Sequence, residues 1–352
     1  MTFGRNYIQP DPVLSREIFE KYDILLVDVF GVLWNGVDWI AGALDTLEHL
    51  VKLGKTVVIL SNASVSAKHM LDKYASSGPS LGKHFSGFVT SGEVLNHILK
   101  NHKLSFESVP HPKKYAILGT HVVHNFENTL YEYTDSLDES DFVYVSIPQL
   151  ANDQKSLLPN ELQKMLYRSN MSSSDKIVWD SSSLDPFIPQ LREIFEKKKP
   201  LLVANPDKYA SVGVLNPENG TEYIKQLVVR QGSLGEAYVK MGGEVLFIGK
   251  PYPEVYEFAL HFAAKNEHVT FSDLKNKKIA MIGDTLETDI LGAQNASKKF
   301  GLNVESILTD TGISYRELSE KSVEARREIY KHRRIIPTHE VGSIALDDKV
   351  LF

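Results

Sequence analysis

No cysteine occurs among the 352 residues, which excludes disulfides, thiolate metal sites and a cysteine nucleophile. Long apolar runs are also missing. None reaches the roughly 18–20 residues that a membrane-spanning helix requires, and the polar stretch 1–12 lacks the apolar centre of a signal peptide. A cytoplasmic protein is therefore expected. The net charge of −6 offers no basic excess for a phosphate backbone to attract, so nucleic acid is not an expected partner. Internal repeats and low-complexity segments are absent as well. What is there is ordinary for a globular chain, with 42% hydrophobic and 24% charged residues. The length suits two domains.

Residues 22–30 (YDILLVDVF) form an apolar run with Asp28 near its end. A buried parallel strand whose carboxyl tip carries chemistry reads this way. Apolar residues at helical spacing over 45–53, closed by Gly54, predict a helix. Residues 56–60 (TVVIL) predict a second buried strand ending at Ser61-Asn62, which completes a βαβ unit. A helix over 66–75, a short strand over 88–90 and a helix from Gly92 follow. The pattern repeats through strand-like segments at 115–118, 142–145 and 201–204, with a polar loop at 172–175. Further strands are expected at 244–248 (EVLFI), 278–282 (KIAMI) and 307–308, and a helix from Glu254. The spacing from Ser61 to Lys250 far exceeds one crossover, so an inserted domain is expected there.

Polar groups stand at four strand ends: Asp28, Ser61, Lys250 just beyond a strand, and Asp284. A parallel sheet brings its strand C-termini to one edge, where these groups converge. A carboxylate nucleophile, a hydroxyl, a lysine and a second carboxylate suit phosphoryl transfer. A metal between the carboxylates and the phosphate would offset the repulsion of two anions that must meet.

The segments Asp28-Val-Phe-Gly-Val, Ser61-Asn62, Gly249-Lys250-Pro251 and Gly283-Asp284 through Asp289 resemble, in order, the four motifs of the haloacid dehalogenase-like superfamily. The position of the insertion resembles class IIA, the group of nucleotide, phosphoglycolate and pyridoxal-phosphate phosphatases. Residues 88–93, 203–207 and 232–234 fall where class IIA sequences carry similar elements, and the likeness covers about 22–312. It is closest to a branch with an aromatic residue at the third position of the first motif, as Phe30 is here. The resemblance implies a doubly wound, Rossmann-like α/β core (1–112 and 244–352, with a basic tail from about 316) and an inserted α/β cap (113–243). It implies a Mg²⁺-dependent phosphatase acting through an aspartyl-phosphate on a small phosphorylated substrate. Asp28 would be the nucleophile. Mg²⁺ would be held by Asp28, the Phe30 backbone carbonyl and Asp284, with Asp289 either helping to hold the metal or Lys250 or serving only as a charge at a helix N-terminus. Ser61, the Asn62 backbone and Lys250 would hold the phosphate. Caps of this class often form dimers, so a homodimer through the cap is one expectation.

Phe30 departs from the family, because most of its phosphatases carry there an aspartate that protonates the leaving group. That help is typically worth about 10²–10⁴-fold. Asp207 or Lys208, in the cap loop 205–209, is a candidate replacement. Alternatively the substrate leaves readily, as an aryl or acyl phosphate does, or the chain is a weak catalyst or a phosphate-ligand binder. Dehalogenases also have an aromatic residue at this position, but the acidic pattern 284–289 and the place of the cap argue against that chemistry.

Other residues admit plainer readings. Ser61 could be the N-cap of the next helix. Trp34, Asn35 and Trp39 on the flap, and Asn205 and Tyr209 in the cap loop, could meet substrate, with packing the alternative for the aromatics. His121 and His124 have the spacing of a metal pair but no further ligand nearby, and are taken as structural or exposed. Residues 324–335 (EARREIYKHRRI) predict a basic amphipathic helix. It would be a solvated helix on the core or, as the alternative, a surface for anionic lipid or a protein partner.

Overall fold

The computed structural model describes residues 15–74, 78–120, 124–169, 177–215 and 223–348. His121 and the loop 172–175 lie outside them, as does the side chain of His124. A six-stranded parallel sheet runs in the order His339–Val341, Val304–Thr309, Ile279–Gly283, Ile24–Val27, Thr56–Ser61, Gly87–Thr90. Chain order reverses between Ile24–Val27 and Ile279–Gly283. That pair therefore forms the crevice where doubly wound sheets bind ligands, beyond their carboxyl ends.

The two central strands are fully buried, with burial on both faces. Leu25 and Val27 pack into one apolar layer with Val57, Ile59 and helix Ala43–Lys52. Ile24 and Leu26 pack into the opposite layer with Val58, Leu60 and helix Pro253–Asn266. Continuous hydrophobicity in the sequence reflects these two covered faces. Proline in the first turn and Glu254 beside it suit the start of the 253–266 helix. Thr90 caps helix Ser91–Lys100, its hydroxyl accepting from Glu93 N–H at 3.1 Å.

A second parallel sheet runs Val245–Phe247, Leu201–Val203, Phe142–Val145, Lys114–Leu118, Glu132–Tyr133. Beside it lie an antiparallel hairpin, Tyr209–Leu215 with Tyr223–Val229, and a small antiparallel sheet of Gln149–Ala151, Leu166–Arg168 and Val178–Ser181. The strand predicted at 244–248, counted with the core, pairs instead with Leu201–Val203. Apolar periodicity finds a strand but not its sheet, since pairing is decided by contacts distant in sequence.

Sequence reading passed over His339–Val341, the hairpin and the small sheet. His339–Val341 and the strands of the small sheet are short, and the hairpin strands mix polar residues or glycine among apolar ones, so none forms a continuous apolar run. The basic helix forms over Val323–Arg333, capped by Ser322 and ending at Arg334 in the left-handed region. It packs on the core through Tyr330, beside Leu318, Leu308 and Ile335. Among the described residues, no helix is long and apolar enough to cross a membrane.

Candidate active site

Asp28 follows directly on Ile24–Val27, and its N–H donates to the Ile282 carbonyl at 3.0 Å. Asp284 follows on Ile279–Gly283. Val27 pairs with Ile282, so the parallel register brings the two carboxylates to one sheet edge, one residue apart. Asp289, in the helical turn Leu286–Ile290, joins them. One oxygen from each of the three carboxylates lies within 4.8 Å of the others. Asp289 is wholly buried, so its surroundings are those of a site member rather than a surface helix charge.

Lys250 is 2% exposed, and its Nζ lies 2.6 Å from Asp28 Oδ1 and 2.7 Å from Asp289 Oδ1. Asp28 and Asp289 thus share one ammonium with Asp284 beside them, and carboxylates outnumber it. Burial raises the Asp28 carboxyl well above the usual range although Lys250 pulls it down. Burial, with the Asp289 charge adding, pushes the Asp284 carboxyl up to about 7. Burial acts to lower Lys250, but the charges of Asp28 and Asp289 outweigh it and hold the ammonium above its ordinary value. A hard divalent cation fits this all-oxygen, over-negative donor set.

Glycines let the loops close on these groups. A Cβ on Gly31, whose φ is +84°, would lie 2.3 Å from Asp284 Oδ2. Gly312 has no room against the same oxygen, and Gly283 none against Asp289. Gly31→Ala is expected to destabilise the fold by about 1–3 kcal/mol, since it combines overpacking with a left-handed backbone. Urea unfolding measures this, and an unchanged midpoint would show that the crowding relaxes freely.

Asn62 is the hub of the site, a role that sequence reading missed by assigning it only its backbone. Its amide nitrogen donates to Asp207 Oδ1 (2.8 Å) and to the Lys250 carbonyl (3.1 Å). Its oxygen accepts from Lys250 N–H (2.7 Å) and the Ser91 hydroxyl (3.2 Å). All four of its hydrogen-bonding positions are filled, joining the second strand end, the lysine turn and the cap loop. Gly249, at φ +131°, leaves this contact open, because a Cβ there would sit 2.7 Å from Asn62 Oδ1.

Ser61 is buried at its strand end, and its Oγ accepts from Ala63 N–H at 3.2 Å. It is not the cap of the next helix, Ala67–Tyr74, where Ser66 Oγ accepts from His69 N–H instead. Phe30 is 37% exposed.

The flap and cap-loop candidates divide. Asp207 reaches the core through Asn62. Loss of solvent raises its carboxyl above the usual range, against the opposing pull of Lys250 and of the Asn62 hydrogen bond. Lys208 does not join the cluster; its ammonium pairs with Glu236 at 2.8 Å. Asn205 Oδ1 accepts from Asp207 N–H at 2.9 Å and so shapes its own loop. Tyr209 is 45% exposed. Trp34 packs edge-on against Trp39, which packs against Tyr74. Asn35 Oδ1 accepts from Val37 and Asp38 N–H groups within the flap.

A segment that sequence reading left unassigned closes the site. Ile313 N–H donates to Asp284 Oδ2 at 2.6 Å, and Ser314 N–H to the Asp284 carbonyl at 3.3 Å. Thr311 donates its hydroxyl to the Gly31 carbonyl. Backbone donors carry no residue signature, so only the fold reveals them.

Two family models match this chain: haloacid dehalogenase-like hydrolase over residues 25–131 and HAD-hydrolase-like over 247–333. The matched stretches carry Asp28, Ser61, Lys250, Asp284 and Asp289. Both matches are to haloacid dehalogenase-like hydrolase domains, which this chain carries. It is 24% identical to the 4-nitrophenylphosphatase of Schizosaccharomyces pombe, with 95% of this chain and 96% of that one covered. It is 23% identical to phosphoglycolate phosphatase 2 of Arabidopsis thaliana, with 84% and 89% covered. A solved structure described as a possible sugar phosphatase of the HAD superfamily, from Cytophaga hutchinsonii, shares the fold with a TM-score of 0.63. That structure is 20% identical over 95% of this chain and 98% of its own.

Proposed function

We propose that this protein is a Mg²⁺-dependent phosphatase of small phosphomonoesters, with Asp28 as nucleophile and Asp207 as proton donor. The observation that carries the reading is the buried group of Asp28, Asp284 and Asp289 around the single Lys250 ammonium. Mg²⁺, held by Asp28, Asp284 and the Phe30 carbonyl, would supply charge neutralisation for an incoming phosphate dianion. Asp289 serves as the buried partner that orients Lys250. Ser61, the Asn62 backbone and Lys250 bind the phosphate oxygens.

In the first step an Asp28 carboxylate oxygen forms a bond to phosphorus, and the ester P–O bond breaks. The departing oxygen takes its proton from Asp207. In the second step Asp207 accepts a proton from water. The oxygen of that water bonds to phosphorus, the aspartyl P–O bond breaks, and inorganic phosphate leaves with Asp28 restored. Phe30 cannot exchange protons. Asp207 is the cap carboxyl tied to the site, and its raised proton affinity suits an acid. Phe30 also favours a second reading, a phosphate-ligand binder with feeble turnover. The three-carboxylate donor set speaks against metal-free dehalogenation.

Hydrolysis of p-nitrophenyl phosphate and of an alkyl phosphate such as glycerol phosphate, with and without Mg²⁺, tests this. Asp207→Asn is expected to lower the alkyl rate by about 10²–10⁴-fold and the aryl rate far less, because nitrophenolate needs little protonation. Phe30→Asp should restore much of the alkyl rate. Equal losses on both substrates would reject Asp207 as the acid. A wild type silent on both would favour the binder.

A further inference from the structure

Arg326 lies on the basic helix Val323–Arg333, away from the carboxylate group, yet it is 6% exposed. Its Nη1 and Nη2 both lie 3.0 Å from Asp310 Oδ2, and Nη1 also bonds Glu340. Glu340 is wholly buried in the edge strand His339–Val341, and its second oxygen accepts from the Tyr330 hydroxyl at 2.8 Å. The other Asp310 oxygen, Oδ1, is buried and has no hydrogen-bond partner. Arg326 is therefore the group that compensates the Asp310 charge.

Asp310 opens the segment that closes the site. Thr311 bonds the Gly31 carbonyl, Ile313 N–H holds Asp284 Oδ2, and Ser314 N–H holds the Asp284 carbonyl. Gly312 leaves no space for even a methyl group against Asp284, so small shifts in this segment reach the carboxylate. Apolar contacts of Tyr330, Leu318 and Ile335 dock the helix. A desolvated guanidinium between two acids adds direction, since its two Nη groups converge on one Asp310 oxygen while one of them also holds Glu340.

We propose that Arg326 is a positioning residue. Through Asp310 it sets the 310–314 segment, and through that segment the orientation of Asp284 toward a divalent cation. The inference rests on the metal-site reading above. It gives the basic tail a role inside the fold rather than at a membrane surface. Groups that orient metal ligands typically contribute about 10–100-fold to affinity.

The experiment is calorimetric titration of the full chain with Mg²⁺ in the absence of substrate. It compares wild type, Arg326→Met, Arg326→Lys, and two controls that should keep wild-type Mg²⁺ affinity, the exposed Lys331→Ala on the same helix and Ile335→Ala in the apolar cluster that docks it. Arg326→Lys is expected to weaken Mg²⁺ binding about tenfold, and Arg326→Met more. Amide hydrogen exchange at Ile313 should accelerate in both. Ile335→Ala should lower the melting temperature while leaving Mg²⁺ affinity unchanged. Should Arg326→Met fail to fold, the lysine variant, which keeps the charge but loses the fork, decides the question. Wild-type affinity in a folded Arg326 variant would overturn the inference alone. Equal weakening in Ile335→Ala would do the same, because it would reduce Arg326 to general support. Absence of Mg²⁺ binding in the wild type would overturn the metal reading, and the inference with it.

Discussion

Asp28→Asn is expected to abolish turnover of p-nitrophenyl phosphate, with a loss of about 10⁴-fold or more, the scale seen when a nucleophile is removed. Asparagine matches aspartate in shape, so packing against Ile282 and Lys250 persists while the attacking oxygen is lost. Mass spectrometry of acid-quenched wild type should detect phosphate on the peptide containing Asp28, and the variant should show none. The same substitution should leave the metal-free protein at least as stable as wild type. It removes one of three carboxylates from a buried site in which burial already disfavours the charged form of Asp28. Retained turnover in a folded Asp28→Asn variant would end the covalent mechanism. A marked fall in stability would show instead that the Asp28–Lys250 pair contributes more than its desolvation costs.

Lys250→Met is expected to be the most damaging single change to the fold near the site. Lys250 neutralises Asp28 and Asp289 at 2.6 and 2.7 Å, with almost no access to water. Removing one partner of a buried ion pair leaves an uncompensated charge and typically costs about 3–5 kcal/mol. Urea unfolding of metal-free protein at neutral pH would measure it. The double variant Lys250→Met/Asp289→Asn should recover part of the loss, because the remaining excess charge is smaller, and the non-additivity gives the coupling directly. Additive losses would mean that the lysine stabilises by packing its methylene stem. Phosphatase activity should vanish in the single variant, with the loss of a phosphate-binding cation.

The basic helix shows why a surface pattern misleads. Read along the chain, EARREIYKHRR suggests a solvated or lipid-facing face. In the fold, Arg326 and Tyr330 turn inward and most of the remaining charges face water. A guanidinium enters a core only where acids await it, and here they come from Asp310 and Glu340, on separate segments. No local rule in the helix announces that pairing. His339–Val341 was similarly silent, since a three-residue strand with a buried glutamate looks like a loop until its neighbour is known.

The site itself was legible to different depths. Asp28, Ser61, Lys250 and Asp284 stood out because chemistry at a strand end interrupts an apolar run, and a parallel sheet sends such ends to one edge. Asp289 was open between a helix charge and a site member. Its contacts with Lys250 and the Thr285 N–H (3.1 Å) now define its surroundings. Asp207 and Lys208 were equal in sequence as candidate acids, with Asn205 a substrate candidate in the same loop. Only the loop's path turns Asp207 onto Asn62, while Lys208 meets Glu236 and Asn205 bonds its own backbone.

By itself the sequence determined the central buried strands and the residues at their ends and pointed to an insertion, all of which follow from local periodicity and spacing. Tertiary structure alone decided which sheet takes Val245–Phe247, how Asn62 fills its four hydrogen bonds, and how the 310–314 backbone grips Asp284. The division is physical. Apolar burial leaves a periodic mark on each segment, whereas hydrogen bonds and ion pairs between distant segments depend on where both partners arrive.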